Sequence, residues 1–149
     1  MLKLSALEFF FRTIPESFLC VFLAYIIYSK IISKISIVKA SVLFAITTYL
    51  IRLLPISYGI NTVISMIAFI LIAVYIMKMS INVSIISIFI SVISIYFCEW
   101  LNIIILNNLF GIQKFNNDYL KFLFTIPSLF MFGIIVLLIY MFINKFVRR

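Results

Sequence analysis

The stretch IRLLPISYGIN, residues 51–61, sets an arginine and a proline inside sequence that is otherwise apolar enough for lipid. Its element RLLP, residues 52–55, repeats RTIP at residues 12–15, and FTIP at residues 124–127 repeats it without the arginine. Proline lacks a backbone N–H and disfavours helix interiors. We therefore expect Pro15, Pro55 and Pro127 to mark helix ends, and the three elements to define one face of the protein.

Composition decides the broad class. Apolar residues make up 66% of the 149 residues and charged residues only 11%, which is too few to solvate the surface of a soluble domain of this size. The sequence therefore predicts an all-α, polytopic integral membrane protein whose main partner is the lipid bilayer. The 12 Lys and Arg, against 4 Asp and Glu, flank apolar runs. That pattern indicates membrane topology rather than nucleic-acid binding.

The apolar runs predict about five transmembrane helices in a single domain spanning residues 1–149. Their expected bounds are residues 5–29, 40–54, 60–77, 81–100 and 122–143. Residues 101–110 are expected to continue into the membrane interface or to fold back. A six-span count, with residues 101–110 as an extra crossing, is the main alternative. It is disfavoured because a helical crossing needs about 20 residues.

Charge placement predicts the orientation of the chain. One set of alternating ends receives Lys30, Lys34, Lys39, Lys78, Lys145, Arg148 and Arg149. The opposite ends receive fewer cations and also Glu8, Glu16 and Asp118. The positive-inside rule then predicts a multi-pass protein of the cytoplasmic membrane, with its N-terminus outside and its C-terminus inside. The charges of the first segment favour a retained helix over a cleaved signal peptide.

Polar side chains at similar depth form a candidate site. At about 1.5 Å of rise per residue, Glu16 lies about 21 Å from Lys30 and Arg52 about 20 Å from Lys39, which predicts that they pair. The full candidate cluster, expected in the outer leaflet, comprises Arg12, Glu16, Arg52, Asn61 and Glu99. One interpretation is purely structural ion pairing. The functional alternative is an outward-facing polar pocket for a peptide or a small amphipathic ligand; an ion relay is weaker, because the inner half lacks carboxylates.

The sequence offers little for catalysis. It contains no histidine, and its two cysteines, Cys20 and Cys98, lie in different apolar segments. Neither a metal site nor a disulfide framework is expected from that pattern. Because no paired acids or activated serine are evident either, we expect no catalytic, metal-binding or cofactor-binding residue, and no enzyme activity.

Three segments carry a family resemblance: FFRTIPESF at residues 10–18, YLIRLLPISYGINT at residues 49–62 and NNLFGI at residues 107–112. Together they resemble the N-terminal membrane region of GHKL-type sensor histidine kinases of low-GC Gram-positive bacteria. The resemblance implies a sensing or regulatory membrane module whose last helix points towards the cytoplasm. No kinase domain is present in these 149 residues, so the resemblance implies no kinase activity here.

Three functional hypotheses follow. The first is a non-catalytic sensing or regulatory module that signals through a membrane or cytoplasmic partner protein. The second is a membrane subunit of a transporter, or an immunity-type protein, that handles a peptide or a small solute. The third is a scaffold without a ligand. All three are compatible with a homo-oligomer.

Overall fold

The computed structural model describes residues 9–28, 33–54, 58–110 and 118–146, and every regular element in these ranges is helical. A π-helical turn, Phe9–Thr13, leads into α1, Ile14–Tyr28. The remaining helices are α2, Lys34–Leu53; α3, Tyr58–Tyr75; α4, Ile81–Phe110; and α5, Asp118–Phe146. The prediction of an all-α fold is confirmed.

Within the described residues, four helical segments are long and apolar enough to cross a membrane: Phe11–Tyr28, Lys34–Leu53, Ile81–Ile105 and Ile126–Lys145. The prediction of a polytopic membrane protein is confirmed at this level. The third predicted span corresponds to α3, which is 18 residues long. At about 1.5 Å per residue α3 extends about 27 Å, slightly less than the hydrocarbon thickness of about 30 Å.

Helix α2 begins earlier than expected. Its expected first residue was Ala40, but the helix already starts at Lys34. The reason is an N-cap: Ser33 has an extended backbone, and its Oγ accepts a hydrogen bond from the backbone N–H of Ser36 at 3.3 Å. A capping serine stabilises the first turn of a helix even when lysines follow it.

Helix α4 is longer than expected. It continues without a break through residues 101–110, so of the two expectations for that segment the fold-back is wrong. Residues 101–110 contain neither glycine nor proline, the residues that most readily end a helix. Pro127 was also misplaced, since it lies inside α5 and not at a helix end. The helix begins upstream of it at Asp118, and membrane helices tolerate proline where neighbouring groups satisfy the freed backbone.

The chain divides into two compact units, residues 1–90 and residues 91–149. In the first unit α2 contacts both α1 and α3, and the π-helical turn contacts α1 and α2. Fully buried small residues, including Ala24 on α1 and Ala40 on α2, allow helix backbones to approach closely. Between α2 and α3, Phe44 meets Phe69 edge to face with ring centroids 5.0 Å apart. In the second unit Cys98, Phe132 and Val136 are buried.

A hydrogen bond ties two helix ends together in the first unit. The Tyr28 hydroxyl donates to the carbonyl oxygen of Lys78 at 3.2 Å, which brings the end of α1 to the junction of α3 and α4. Lys34 starts α2 shortly after Tyr28 and is exposed, as is Lys78. This arrangement agrees with the predicted grouping of Lys34 and Lys78 at one end.

The N-out, C-in orientation stays a prediction. Reporter fusions after Arg149 and within residues 111–121 would check it. The fusion after Arg149 is expected to be active in a cytoplasmic reporter assay and inactive in a periplasmic or extracellular one. The reverse pattern would contradict the orientation.

Lys78 adopts a left-handed backbone conformation, with φ of 53°. A side chain in this region costs about 1–2 kcal/mol, whereas glycine avoids the steric penalty but loses more chain entropy on folding. We therefore expect Lys78→Gly to raise the free energy of unfolding by about 0.5–1 kcal/mol. Lys78→Ala is the matched control for loss of the side chain and should not stabilise. A reversible unfolding titration in mixed micelles measures both, and equal effects would contradict the backbone explanation.

Candidate functional site

Three charged residues meet where α1 begins and α2 ends. Arg12 lies in the π-helical turn, Glu16 in the first turn of α1, and Arg52 in the last turn of α2. Only four residues separate α1 from the described start of the next segment at Ser33, so the two helices contact each other as a hairpin. The start of α1 therefore lies beside the end of α2. We call Arg12, Glu16 and Arg52 the charged cluster.

Glu16 is shared by the two arginines. Its Oε1 lies 3.7 Å from Nη2 of Arg52, and its Oε2 lies 3.9 Å from Nε of Arg12. The predicted pairing of Glu16 with Arg52 is confirmed. Both contacts are longer than the 2.7–2.9 Å, approximately, of a charge-assisted hydrogen bond. Each carboxylate oxygen therefore forms an ion pair with one guanidinium. Oε2 pairs with Arg12, four residues earlier in the sequence, and Oε1 pairs with Arg52 on the neighbouring helix α2.

The prolines help to explain this geometry. Pro15 follows the π-helical turn directly as the second residue of α1. Its ring has no N–H and would crowd the carbonyl four residues earlier in a regular α-helix, and a wider π-helical turn relieves that crowding. At the other helix, Leu54 caps α2 with an extended backbone, φ −70° and ψ 139°. That conformation is the one favoured before a proline; Pro55 itself lies outside the described residues.

The charged cluster is partly accessible, and exposed apolar residues lie near it in sequence. The side chains of Arg12, Glu16 and Arg52 are 26%, 17% and 29% exposed. Several large apolar residues near them in sequence are exposed: Phe11, Phe18, Leu53 and Leu54. Charged groups within membrane-spanning segments are costly unless they are paired or reach a polar phase. This cluster is therefore paired and still open to a group that approaches from outside.

Two threonine hydroxyls beside the charged cluster lack acceptors. The Oγ1 atoms of Thr13 and Thr48 are buried and have no hydrogen-bond partner among the described residues. By contrast, Thr47 Oγ1 donates to the carbonyl of Leu43 at 2.7 Å, the usual arrangement in an apolar helix. Sequence reasoning missed both threonines. Their positions, next to Arg12 and one helical turn before Arg52, are the only signal that could have found them.

Removing one of these hydroxyls should stabilise the protein. A buried donor without an acceptor costs about 1–3 kcal/mol, so Thr48→Val is expected to raise the free energy of unfolding by about 1 kcal/mol. Thr47→Val is the matched control on the neighbouring residue, where a formed hydrogen bond is lost and no gain is expected. Unfolding of both variants in the same micelles checks this. Destabilisation by Thr48→Val would show that its hydroxyl already has an acceptor.

The other two predicted site residues lie on α3 and α4. Asn61 is half-buried in the first turns of α3, within the first unit, and Glu99 is half-buried in α4, within the second unit. The ion pairs described here join Arg12, Glu16 and Arg52. Among the described residues, no group of three or more His, Cys, Asp or Glu could hold a metal ion. A shallow cavity of about 600 Å³ along α5, lined by residues between Leu138 and Lys145, includes none of the predicted site residues.

Three serines of α4 are buried, and two of them donate hydrogen bonds to carbonyl groups one turn earlier in the chain. Ser84, Ser87 and Ser91 are fully buried. Ser84 Oγ donates to the carbonyl of Ser80 at 3.1 Å, and Ser87 Oγ to that of Val83 at 2.7 Å. Small polar residues that satisfy their hydroxyls on their own helix are typical of helix–helix contacts in membranes. The hydroxyls of Ser84 and Ser87 therefore have acceptors on their own helix, unlike those of Thr13 and Thr48.

In comparisons with protein-family models, with curated proteins and with solved structures, none matches this chain. The resemblance to the membrane region of GHKL-type sensor kinases therefore stays a prediction, and the charged cluster is the observation on which function can be argued.

Proposed function

We propose that this chain is a non-catalytic sensing or regulatory module of the cell membrane, in which the charged cluster is the ligand-responsive contact and a partner protein receives the signal. The observation that carries the proposal is that one carboxylate serves two arginines on different elements. Arg12 precedes Glu16 by four residues, whereas Arg52 belongs to α2. Glu16 therefore has a local partner and a partner on the neighbouring helix.

Because two arginines share one carboxylate, the contact between α1 and α2 can rearrange at a small cost in free energy. If a ligand engages Arg52, Glu16 can retain Arg12, so no carboxylate is left without a counter-charge in an apolar environment. The free-energy difference between the paired and the opened hairpin is then small. A ligand shifts such an equilibrium by as much as its affinities for the two states differ. A change in the packing of α1 on α2 is the kind of signal that a membrane partner can receive.

The proposal predicts that function and stability separate in a double variant. The chromosomal copy is replaced by Glu16→Gln with Arg52→Gln, a change that leaves the net charge unaltered. Transcript profiles are compared with wild type, with a deletion strain, and with Thr47→Val as a matched control on α2. We expect the double variant to be present in the membrane at the wild-type level, yet to show the profile of the deletion strain.

Two results would contradict the proposal. A wild-type profile in the double variant would show that the charged cluster is only structural. An unchanged profile in the deletion strain would show that the chain has no regulatory role under the conditions tested.

A further inference from the structure

We propose that the charged cluster binds the phosphate group of an anionic phospholipid, which replaces the Glu16 carboxylate on Arg52. The inference rests on the proposed function in taking the same cluster as the ligand site, and it names the class of ligand. Three observations carry it: the donor groups of Arg52, the two threonine hydroxyls, and the exposed apolar residues near them in sequence.

Arg52 has donor capacity beyond its ion pair. A guanidinium carries five N–H donors in a planar fork that matches the oxygens of a phosphate. Nη2 of Arg52 lies 3.7 Å from Oε1 of Glu16, and the Arg52 side chain is 29% exposed. A phosphate can therefore reach the fork from the surface and form shorter, two-point hydrogen bonds than the carboxylate now makes. Glu16 retains Arg12 when this happens.

The hydroxyls of Thr13 and Thr48 can complete the site. At about 1.5 Å of rise per residue, Thr13 at the end of the π-helical turn lies about 22 Å from Tyr28, the last residue of α1. Thr48 lies about 21 Å along α2 from Lys34 on the same rise. The two hydroxyls are thus at matching heights on neighbouring helices, at the level of the charged cluster. Both are buried donors without an acceptor among the described residues. Phosphate oxygens are strong acceptors, so a phosphate that enters between α1 and α2 as the hairpin opens offers these donors the partners that the helices do not.

The surroundings favour a lipid over a soluble anion. Phe11 and Phe18 on the α1 side and Leu53 and Leu54 at the end of α2 are 45–60% exposed. These residues lie within or beside segments that are apolar enough to cross a membrane. Acyl chains can pack against that surface while the headgroup phosphate meets Arg52, the arrangement expected for arginine near the membrane interface. A free phosphate ion would gain nothing from the apolar residues.

The test is lipid binding by the purified full chain in neutral micelles, measured as the rise in Tm with added phosphatidylglycerol and as retained lipid in native mass spectrometry. Wild type should show saturable stabilisation. Arg52→Gln is expected to weaken phosphatidylglycerol binding about tenfold. Glu16→Gln should have the opposite effect and bind the lipid more tightly than wild type, because the competing carboxylate is gone.

Two control variants distinguish binding at the charged cluster from an effect of the protein's net charge. Asn82→Lys adds one positive charge at an exposed position of α4, as Glu16→Gln does to the total. Lys39→Gln removes one exposed charge from α2, the helix that also carries Arg52. Both controls should leave the affinity within about twofold of wild type. If Arg52→Gln does not fold, Thr48→Val is the second variant, since it is expected to be more stable without lipid and to gain less from it.

Each outcome decides the inference. Equal effects of Arg52→Gln and Lys39→Gln, or of Glu16→Gln and Asn82→Lys, would overturn it in favour of general attraction to charge. Equal stabilisation by glycerol phosphate and by phosphatidylglycerol, at equal phosphate, would overturn the lipid as the ligand and leave a soluble anion. Lipid binding with an unchanged transcript profile in the deletion strain would contradict only the proposed function. A regulatory phenotype without lipid binding would contradict only this inference.

Discussion

Glu16→Gln is expected to lower the free energy of unfolding by about 2 kcal/mol, and Arg52→Gln by only about 1 kcal/mol. The asymmetry follows from the shared carboxylate: loss of Arg52 leaves Glu16 paired with Arg12, whereas loss of Glu16 removes the carboxylate from both guanidiniums. The estimates lie between those for exposed and for buried ion pairs, because the three side chains are 17–29% exposed.

The double variant, Glu16→Gln with Arg52→Gln, is expected to be more stable than Glu16→Gln alone, since it leaves one cation where the single variant leaves two. Steric trapping or a detergent unfolding titration measures all three variants. Lys39→Gln is the control for loss of an exposed charge and should change stability by less than about 0.5 kcal/mol. Greater damage from Arg52→Gln than from Glu16→Gln would show that Arg12 does not share the carboxylate.

Phe69→Ala should destabilise the first unit by about 2–4 kcal/mol. Phe69 is 1% exposed and packs edge to face on Phe44 across the interface of α2 and α3. In lipid the transfer of an apolar side chain into the protein contributes little, so the cost comes from lost van der Waals contacts and from the cavity. The effect is therefore expected at the lower end of the range known for soluble proteins.

Phe89→Ala is the matched control for Phe69→Ala. Phe89 lies on α4 in the same unit and is 52% exposed. Lipid is expected to fill the space that its side chain leaves, so no cavity forms. We expect a change of less than about 0.5 kcal/mol. Similar losses for the two variants, measured by unfolding in bicelles, would contradict the assignment of Phe69 to the packed interface.

The sequence predicted the depth of residues in the helices best, because helical rise converts a residue's position in the sequence into a distance along the helix axis. A helix rises by a nearly constant amount per residue, so counting from the lysines at the helix ends placed Glu16 and Arg52 at the same depth. Charged side chains inside an apolar segment are costly unless they pair, so opposite charges at one depth are expected to form an ion pair. The structure has this ion pair, with Glu16 Oε1 and Arg52 Nη2 3.7 Å apart. The helical class followed from composition, because lipid leaves the backbone no other hydrogen-bond partners than its own.

Other features depended on rotation about the helix axes and on local hydrogen bonds, which counting along the sequence does not predict. The early start of α2 depends on the Ser33 cap, and the long α4 on the absence of a breaker in residues 101–110. Only packing decides that Thr13 and Thr48 face inward without an acceptor while Thr47 bonds to Leu43.

The same distinction applies to the candidate site. Depth alone grouped Arg12, Glu16, Arg52, Asn61 and Glu99, since counting along the helices put all five in the outer leaflet or at its boundary. Which of them meet depends on which helices are neighbours and which faces those helices turn to each other. The sequence by itself determined a helical membrane protein with a Glu16–Arg52 pair. The tertiary structure decided that the two carboxylate oxygens of Glu16 face different arginines and that the buried hydroxyls of Thr13 and Thr48 lack acceptors, because only folding sets the direction of each side chain.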